Sequence, residues 1–112
     1  MTNGDGNFRD LEGRVAIVTG ASMGLGSVMA HALAQHGVTV IGIARNKDKL
    51  ETFGAQLNES LGRSAFHALA GGDACERAVS FALARFSRLD IVINNAGVAE
   101  RVNNNETAGL RD

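Results

Sequence analysis

Three glycines lie within the eight-residue stretch TGASMGLG, from Thr19 to Gly26. A β-branched apolar run precedes the stretch and apolar residues at helical spacing follow it, which predicts a strand, a glycine turn and a helix. The backbone N–H groups of such a turn and the helix dipole attract anions, and the missing Cβ atoms let a pyrophosphate approach the backbone. The alternative interpretation is that the glycines only give flexibility to the start of a helix and bind no ligand. The strand before the turn and the helix after it favour nucleotide binding.

The glycines have different predicted roles. Gly20 makes the tight turn after the first strand, Gly24 faces the pyrophosphate, and Gly26 lets the helix pack close to the sheet. Arg45 follows the second apolar run, where a dinucleotide site selects its cofactor. A carboxylate there binds the 2′-OH of NAD, whereas a guanidinium binds a 2′-phosphate, to which Ser22 can add a hydroxyl. We therefore predict NADP rather than NAD, with a solvated basic helix start as the alternative interpretation.

Strands alternate with helices along the chain. Four apolar runs predict strands, at 15–18, 38–44, 64–70 and 91–94. Apolar residues at spacings of three and four predict a helix in each interval. This alternation predicts an α/β fold with a doubly wound parallel sheet, right-handed crossovers and helices on both faces. The element order βαβαβαβ corresponds to half of such a sheet.

The helix ends carry recognisable signals. Gly37 and Gly62 are predicted to end the first two helices, and Asn46 to cap the second. Asp73 and Glu76 have the spacing of a capping box at the start of the third. The apolar face of the third helix is predicted to comprise Ala78, Val79, Ala82, Leu83 and Phe86.

Length and composition bound the function. The chain has 112 residues, of which 45% are hydrophobic, and this suits one domain with a modest core. Its net charge of −1 gives no basic excess that would indicate a surface for binding nucleic acid or a membrane. Residues 1–12 are predicted to form a flexible lead, and 13–112 the domain. The single cysteine, Cys75, and the absence of an apolar leader or membrane-length run indicate the cytoplasm. No zinc-ligand spacing joins Cys75 to His31, His36 or His67, so no metal is expected.

Two motifs together resemble the short-chain dehydrogenase/reductase family. T-G-x-x-x-G-x-G spans Thr19–Gly26, and N-N-A-G spans Asn94–Gly97, about seventy residues later and just after the fourth predicted strand, with R-L-D before that strand. The resemblance covers roughly residues 10–112 and only the N-terminal half of a family member. It implies a Rossmann-type sheet with strand order 3-2-1-4. The segment NNETAGLRD is similar to farnesol-dehydrogenase-like, NADP-dependent carbonyl reductases.

The resemblance also implies the binding residues. The predicted cofactor-binding residues are Gly20, Ser22, Met23, Gly24, Leu25, Gly26, Arg45, Asn95, Ala96 and Gly97. The turn would wrap the phosphates and the adenosine ribose, residues 95–97 would line the adenine-ribose side, and Asn94 would tie the central strands together. Without the glycine turn, N-N-A-G would indicate only a strand-ending turn.

One position departs from the family pattern. Members usually carry an aspartate directly after the third strand, where its side chain meets the adenine edge. Here Ala68 or Ala70 stands at that position. Asp73 either takes over the adenine contact or only caps the third helix, and the sequence leaves both alternatives open.

The family's proton-transfer group has no counterpart in this sequence. Members use a tyrosine, a lysine four residues later and a serine. The chain contains no tyrosine, and its only lysines, Lys47 and Lys49, lie in the cofactor-selecting segment, where they raise the positive potential. We therefore expect no catalytic residue in a domain truncated before that segment. Hydride transfer with alcohol or carbonyl substrates is expected of a complete member; the alternative is an inactive nucleotide-binding fragment or interaction remnant. The apolar edge strand at 91–93 predicts self-association.

Overall fold

The computed structural model describes residues 10–95. The strands are β1 (Val15–Thr19), β2 (Thr39–Ala44), β3 (Phe66–Ala70) and β4 (Ile91–Asn94). The helices are α1 (Gly24–Gln35), α2 (Lys47–Leu61) and α3 (Ala74–Phe86). All neighbouring strands pair in parallel, in the order β3-β2-β1-β4. The predicted α/β Rossmann-type fold and strand order are confirmed, with strand starts within two residues of those predicted.

The sheet separates two cores. All five residues of β1 are buried, because helices cover both faces of a parallel sheet. Ala16 and Val18 face the core that includes α1 and α2. Val15 and Ile17 face the core that includes α3. The carboxyl ends of the parallel strands consequently meet along one side of the domain, where open α/β sheets bind ligands.

Phe66 fills the space beside two glycines. Its ring lies where a Cβ would project from Gly42 of β2 and from Gly54 of α2, at 2.1 and 2.6 Å. Phe53 meets the same ring edge to face, with the centroids 5.3 Å apart. A glycine inside a strand and another inside a helix are thus explained by close packing of one aromatic side chain.

Helix ends and faces follow the prediction in part. The Asn46 side chain accepts a hydrogen bond from the Lys49 N–H at 3.0 Å, as predicted, and Gly37 and Gly62 have φ values of 90° and 71°. The capping box is wrong: Asp73 precedes α3, but its carboxylate makes no capping bond and instead accepts from the side chain of Arg77.

The predicted face of α3 also needs correction. Ala74, Ala78 and Ala82 are buried, whereas Val79 and Leu83 are 41% and 54% exposed. Small alanines at spacings of four form a continuous line that packs closely on the sheet. The larger apolar residues lie on the adjoining, outward side of the helix.

Asp90 fastens β4 to β1. Its carboxylate accepts from the Val15 N–H at 2.9 Å, from the Arg88 guanidinium at 2.8 and 2.9 Å, and from Arg14 at 3.3 Å. These contacts, first of all the bond from Arg88, lower the pKa of Asp90 to about 2. The aspartate of the R-L-D segment thus sets where β4 begins.

Between residues 10 and 95, no helix combines the length and apolar character needed to cross a membrane. The same residues contain no group of three His, Cys, Asp or Glu side chains that could hold a metal ion. Leu11 packs against the core shared by α1 and α2. Because residues 1–9 lie outside the described part, the predicted flexible lead at 1–12 stays a prediction.

Candidate functional site

The glycine turn leaves β1 and crosses to the end of β2. Gly20 has a φ of 65°, in the left-handed region that favours glycine. The next residue, Ala21, is buried, and its N–H donates to the Ile43 carbonyl at 3.2 Å. The turn is thereby fixed against the carboxyl end of β2, and the residues that follow it lie beside the segment containing Arg45.

Gly24 begins α1 next to open space. Its φ is 59°, and no atom lies within 4 Å of where its Cβ would project. Met23, the residue before the helix, makes no side-chain capping bond. An approaching anion would therefore meet backbone at the positive end of the α1 dipole, without an intervening side chain.

Gly26 brings the two sequence motifs together. A Cβ on Gly26 would lie 2.0 Å from the Gly20 carbonyl oxygen and 3.0 Å from the Asn95 side-chain nitrogen. Only a glycine allows the first turn of α1 to pack this closely. The structure therefore places Asn95 of the N-N-A-G segment directly against the glycine turn.

Asn94 links β4 to its neighbour β1, which is the kind of tie between strands that was predicted for it. The Thr19 hydroxyl lies 3.1 Å from Asn94 Oδ1 and 3.4 Å from the Ile93 carbonyl oxygen. Thr19 is the one polar residue among those buried in the described range. Ala96 and Gly97, the other two predicted residues of this segment, lie outside the described residues.

The remaining predicted residues surround the turn. Met23 and Leu25 are 63% and 64% exposed. Arg45 is exposed and directly follows β2. Ser22 is half-buried and lines a cavity of about 360 Å³ between the turn and α2. The structure thus gathers Ser22 and the glycines at one end of the sheet, with Arg45 on the neighbouring strand end.

The end of β3 carries no carboxylate. Ala70 is the last residue of the strand, and its carbonyl accepts from the Arg77 guanidinium. Arg77 also donates to Asp73 at 2.9 Å, and this bond lowers the pKa of Asp73. Since Asp73 makes no capping bond, the capping role that the sequence offered for its side chain is wrong, and an adenine contact stays a prediction.

The histidines and the cysteine do not form a site with the turn. His31 lies on the exposed side of α1 and His36 directly after that helix. His67 lies in β3 against Phe81. Cys75 is exposed in the first turn of α3. None of these four residues is part of the glycine turn.

From the sequence there was no reason to assign different roles to the two lysines near Arg45. Lys49 lines the same cavity as Ser22. Lys47 lines a different cavity, of about 240 Å³, together with Arg77. Residues two apart on a helix point in different directions, so this separation was implicit in the helix that the sequence predicted.

The arrangement fits the phosphates of a dinucleotide. The Gly24 backbone faces open space, the turn is fixed against β2, and basic side chains follow on the next element. Open α/β sheets bind ligands outside the carboxyl ends of their strands, which is where these features meet.

Comparisons with known proteins agree with this geometry. A family model for short chain dehydrogenase matches residues 14–109. The chain is 38% identical to D-threitol dehydrogenase of Mycolicibacterium smegmatis over 97 residues, covering 85% of this chain and 37% of that protein. It is 34% identical to farnesol dehydrogenase of Aedes aegypti over 90 residues, covering 77% of this chain and 36% of that protein. The predicted resemblance to farnesol dehydrogenases is confirmed.

A solved structure shows the same fold. The short chain dehydrogenase from Shigella flexneri 2a, complexed with NADP, superimposes with a TM-score of 0.67 at 32% identity, covering 78% of this chain and 39% of that one. The chain spans less than two-fifths of the length of each of these relatives. The matching family model and the relatives above 30% identity show that the chain belongs to the short-chain dehydrogenase/reductase family.

Proposed function

We propose that this chain is the NADP(H)-binding part of an oxidoreductase acting on alcohol or carbonyl substrates. The observation that carries the proposal is the packing of Gly26 on the Gly20 carbonyl and the Asn95 side chain. Two segments about seventy residues apart in sequence meet there, at the carboxyl ends of the strands. The cofactor, when bound, supplies or accepts a hydride; the residues of this chain bind and orient it.

The binding residues follow from this arrangement. The backbone of the turn around Gly24 holds the phosphates, because no side chain shields it there. Ser22 adds a hydroxyl, and the backbone of Met23 and Leu25 borders the same turn. Asn95, followed by Ala96 and Gly97, lines the adenine-ribose side. Asn94 supports the site through its contact with Thr19.

Cofactor selection is assigned to the end of β2. Ala44 ends this strand and Arg45 follows it, so neither of these two positions carries the carboxylate that would bind the 2′-OH of NAD. The guanidinium of Arg45 suits a 2′-phosphate, to which it can donate two hydrogen bonds. The short chain dehydrogenase from Shigella flexneri contains NADP, which supports the same preference.

Calorimetric titration tests this assignment. We expect NADP to bind more tightly than NAD by about 1–3 kcal/mol, the range for charge-assisted contacts. The Arg45→Asp variant should narrow or invert the difference. Arg85→Asp, the same charge change on α3, serves as the control and should preserve it. Equal affinities for the two cofactors in the parent chain would contradict the assignment.

The proposal assigns no proton-transfer group to this chain, since the sequence contains no tyrosine. The 112 residues alone should therefore bind cofactor without catalysing hydride transfer, because general acid–base catalysis contributes about 10²–10⁴-fold. This is the inactive nucleotide-binding alternative. An assay with NADPH and a panel of ketones and aldehydes tests it: turnover above about 0.1 per second, with contaminating reductase excluded, would overturn it.

The cellular setting is part of the proposal. A single cysteine, Cys75, suits a reducing compartment, and the composition carries no basic excess. We assign the protein to the cytoplasm, with a dinucleotide and a small alcohol or ketone as its ligands.

A further inference from the structure

A cavity of about 360 Å³ lies between the glycine turn and the exposed side of α2. It is lined by Ser22, Asp48, Lys49, Thr52, Phe53 and Gln56. One residue comes from the turn and the other five from the first ten residues of α2. The cavity therefore joins the turn to the element that follows Arg45.

The backbone places this cavity beside the end of β2. Thr19 pairs in register with Ile43, and the Ala21 N–H donates to the Ile43 carbonyl. Ser22 directly follows this bond, and Arg45 lies two residues beyond Ile43. A phosphate held by Ser22 and Arg45 would consequently lie at the mouth of the cavity.

The two lysines of α2 differ in their surroundings. Lys49 lines the cavity that contains Ser22. Lys47 lines the cavity at the end of β3, with Glu51 and Arg77. Both lysines are exposed and carry the same charge. Their positions on the helix therefore place equal charges in different cavities.

At the start of α2, an anion would be bound by side chains more than by backbone N–H groups. The Lys49 N–H is already bonded to the Asn46 side chain at 3.0 Å. Asp48 also lines the cavity and repels a phosphate. Lys49 is the cation that shares the cavity with Ser22, and its charge offsets the repulsion between Asp48 and a phosphate bound there.

We propose that Lys49, and not Lys47, binds the 2′-phosphate of the cofactor together with Ser22 and Arg45. This inference rests on the proposed function and names the residue that strengthens cofactor selection. The ammonium of Lys49 donates to phosphate oxygens, offsets Asp48 and makes no contact with a cofactor that lacks the 2′-phosphate. Lys47 contributes only a general positive potential, which salt screens.

The test compares two variants with the same charge change. Affinities for NADP and NAD are measured by calorimetry at one salt concentration for the parent chain, Lys49→Gln and Lys47→Gln. Lys49→Gln should lower the ratio of NADP to NAD affinity about tenfold, the lower range for a charge-assisted hydrogen bond. Lys47→Gln should leave the ratio within about twofold, as for an exposed charge without a specific contact. Lys49→Arg, which keeps the charge, should retain most of the preference.

The outcomes separate this inference from the proposed function. Equal losses in both glutamine variants, or no loss in Lys49→Gln, would overturn the role of Lys49 while the preference due to Arg45 still stands. A parent chain without any preference for NADP would overturn the proposed function and this inference with it. Unchanged NAD affinity in both variants shows that the fold and the phosphate turn are intact.

Discussion

At the scale of single residues, one added methyl group at Gly26 should disturb both the fold and the site. Alanine there would bring its Cβ to 2.0 Å from the Gly20 carbonyl oxygen, so α1 or the turn must shift. We expect Gly26→Ala to destabilise the fold by about 1–3 kcal/mol, the usual cost of overpacking. Cofactor affinity should fall as well, because the turn that holds the phosphates moves.

Urea unfolding with a matched glycine checks this. Gly72→Ala adds the same methyl where no atom lies within 4 Å of the new Cβ, and its stability should stay within about 0.5 kcal/mol of the parent. If Gly26→Ala were as stable as Gly72→Ala, the close packing described for the turn would be wrong.

The sequence predicted some residues of the site well and others only loosely. The roles of Gly20 and Gly26 in the packing of the turn follow from a spacing that strand–turn–helix geometry requires, and the structure agrees with them. That Ser22 and Lys49 line the same cavity could not be predicted from the sequence. Their closeness depends on how β1 and β2 are aligned in the sheet. Asp73 has two acceptable partners within four residues, and spacing alone does not choose between the helix N–H groups and Arg77.

At the scale of elements, α3 packs on β3 through an aromatic cluster that contains a histidine. The His67 ring lies 5.3 Å from that of Phe81 and 5.6 Å from that of Phe86. Arg85 lies over both phenylalanine rings. Burial, with a smaller contribution from Arg85, lowers the pKa of His67.

This packing predicts a pH-dependent stability. In the unfolded chain His67 has an ordinary pKa of about 6.5, so it binds a proton at a higher pH in the unfolded chain than in the folded chain. Stability due to His67 is therefore present above about pH 6.5 and is lost as the pH falls from that value toward the lower pKa of the folded state. As the pH is lowered through this interval, the melting temperature should fall more steeply for the parent chain than for the His67→Gln variant. Identical slopes would show that His67 does not titrate in contact with α3.

Strands were predicted more accurately than helix faces for a physical reason. A strand buried on both faces is a continuous apolar run, as in β1, and such a run is visible without knowing its partners. A helix rich in alanine, such as α3, offers two adjoining apolar lines at the same spacing. Which line faces the sheet depends on how closely the helix approaches it. Here the smaller residues Ala78 and Ala82 are buried against the sheet, and Val79 and Leu83 are exposed.

At the scale of the whole molecule, β4 lies at one end of the strand order and pairs with β1 along one side only, among residues 10–95. Val92 on this strand is 62% exposed. An apolar strand edge with unpaired backbone groups is a template for association. We therefore expect the 112-residue chain to oligomerise or aggregate.

Light scattering tests the expected association. Val92→Lys should shift the mass toward the monomer, because a charge on an edge strand opposes pairing. Val79→Lys adds the same charge on α3 and should leave the mass of the assembly unchanged. A sharp monomer mass for the parent chain, with a cooperative melt, would argue decisively against association through β4.

We propose that the glycine turn, the end of β2 and the end of β4 form one dinucleotide site. Hydrogen–deuterium exchange with and without saturating NADP tests it most directly, because protection can be located along the chain. We expect slower exchange in peptides covering residues 20–26, 44–49 and 94–97, and little change around 34–37 and 61–63 at the opposite end of the sheet. Protection confined to that opposite end, or no protection at saturating NADP, would contradict it.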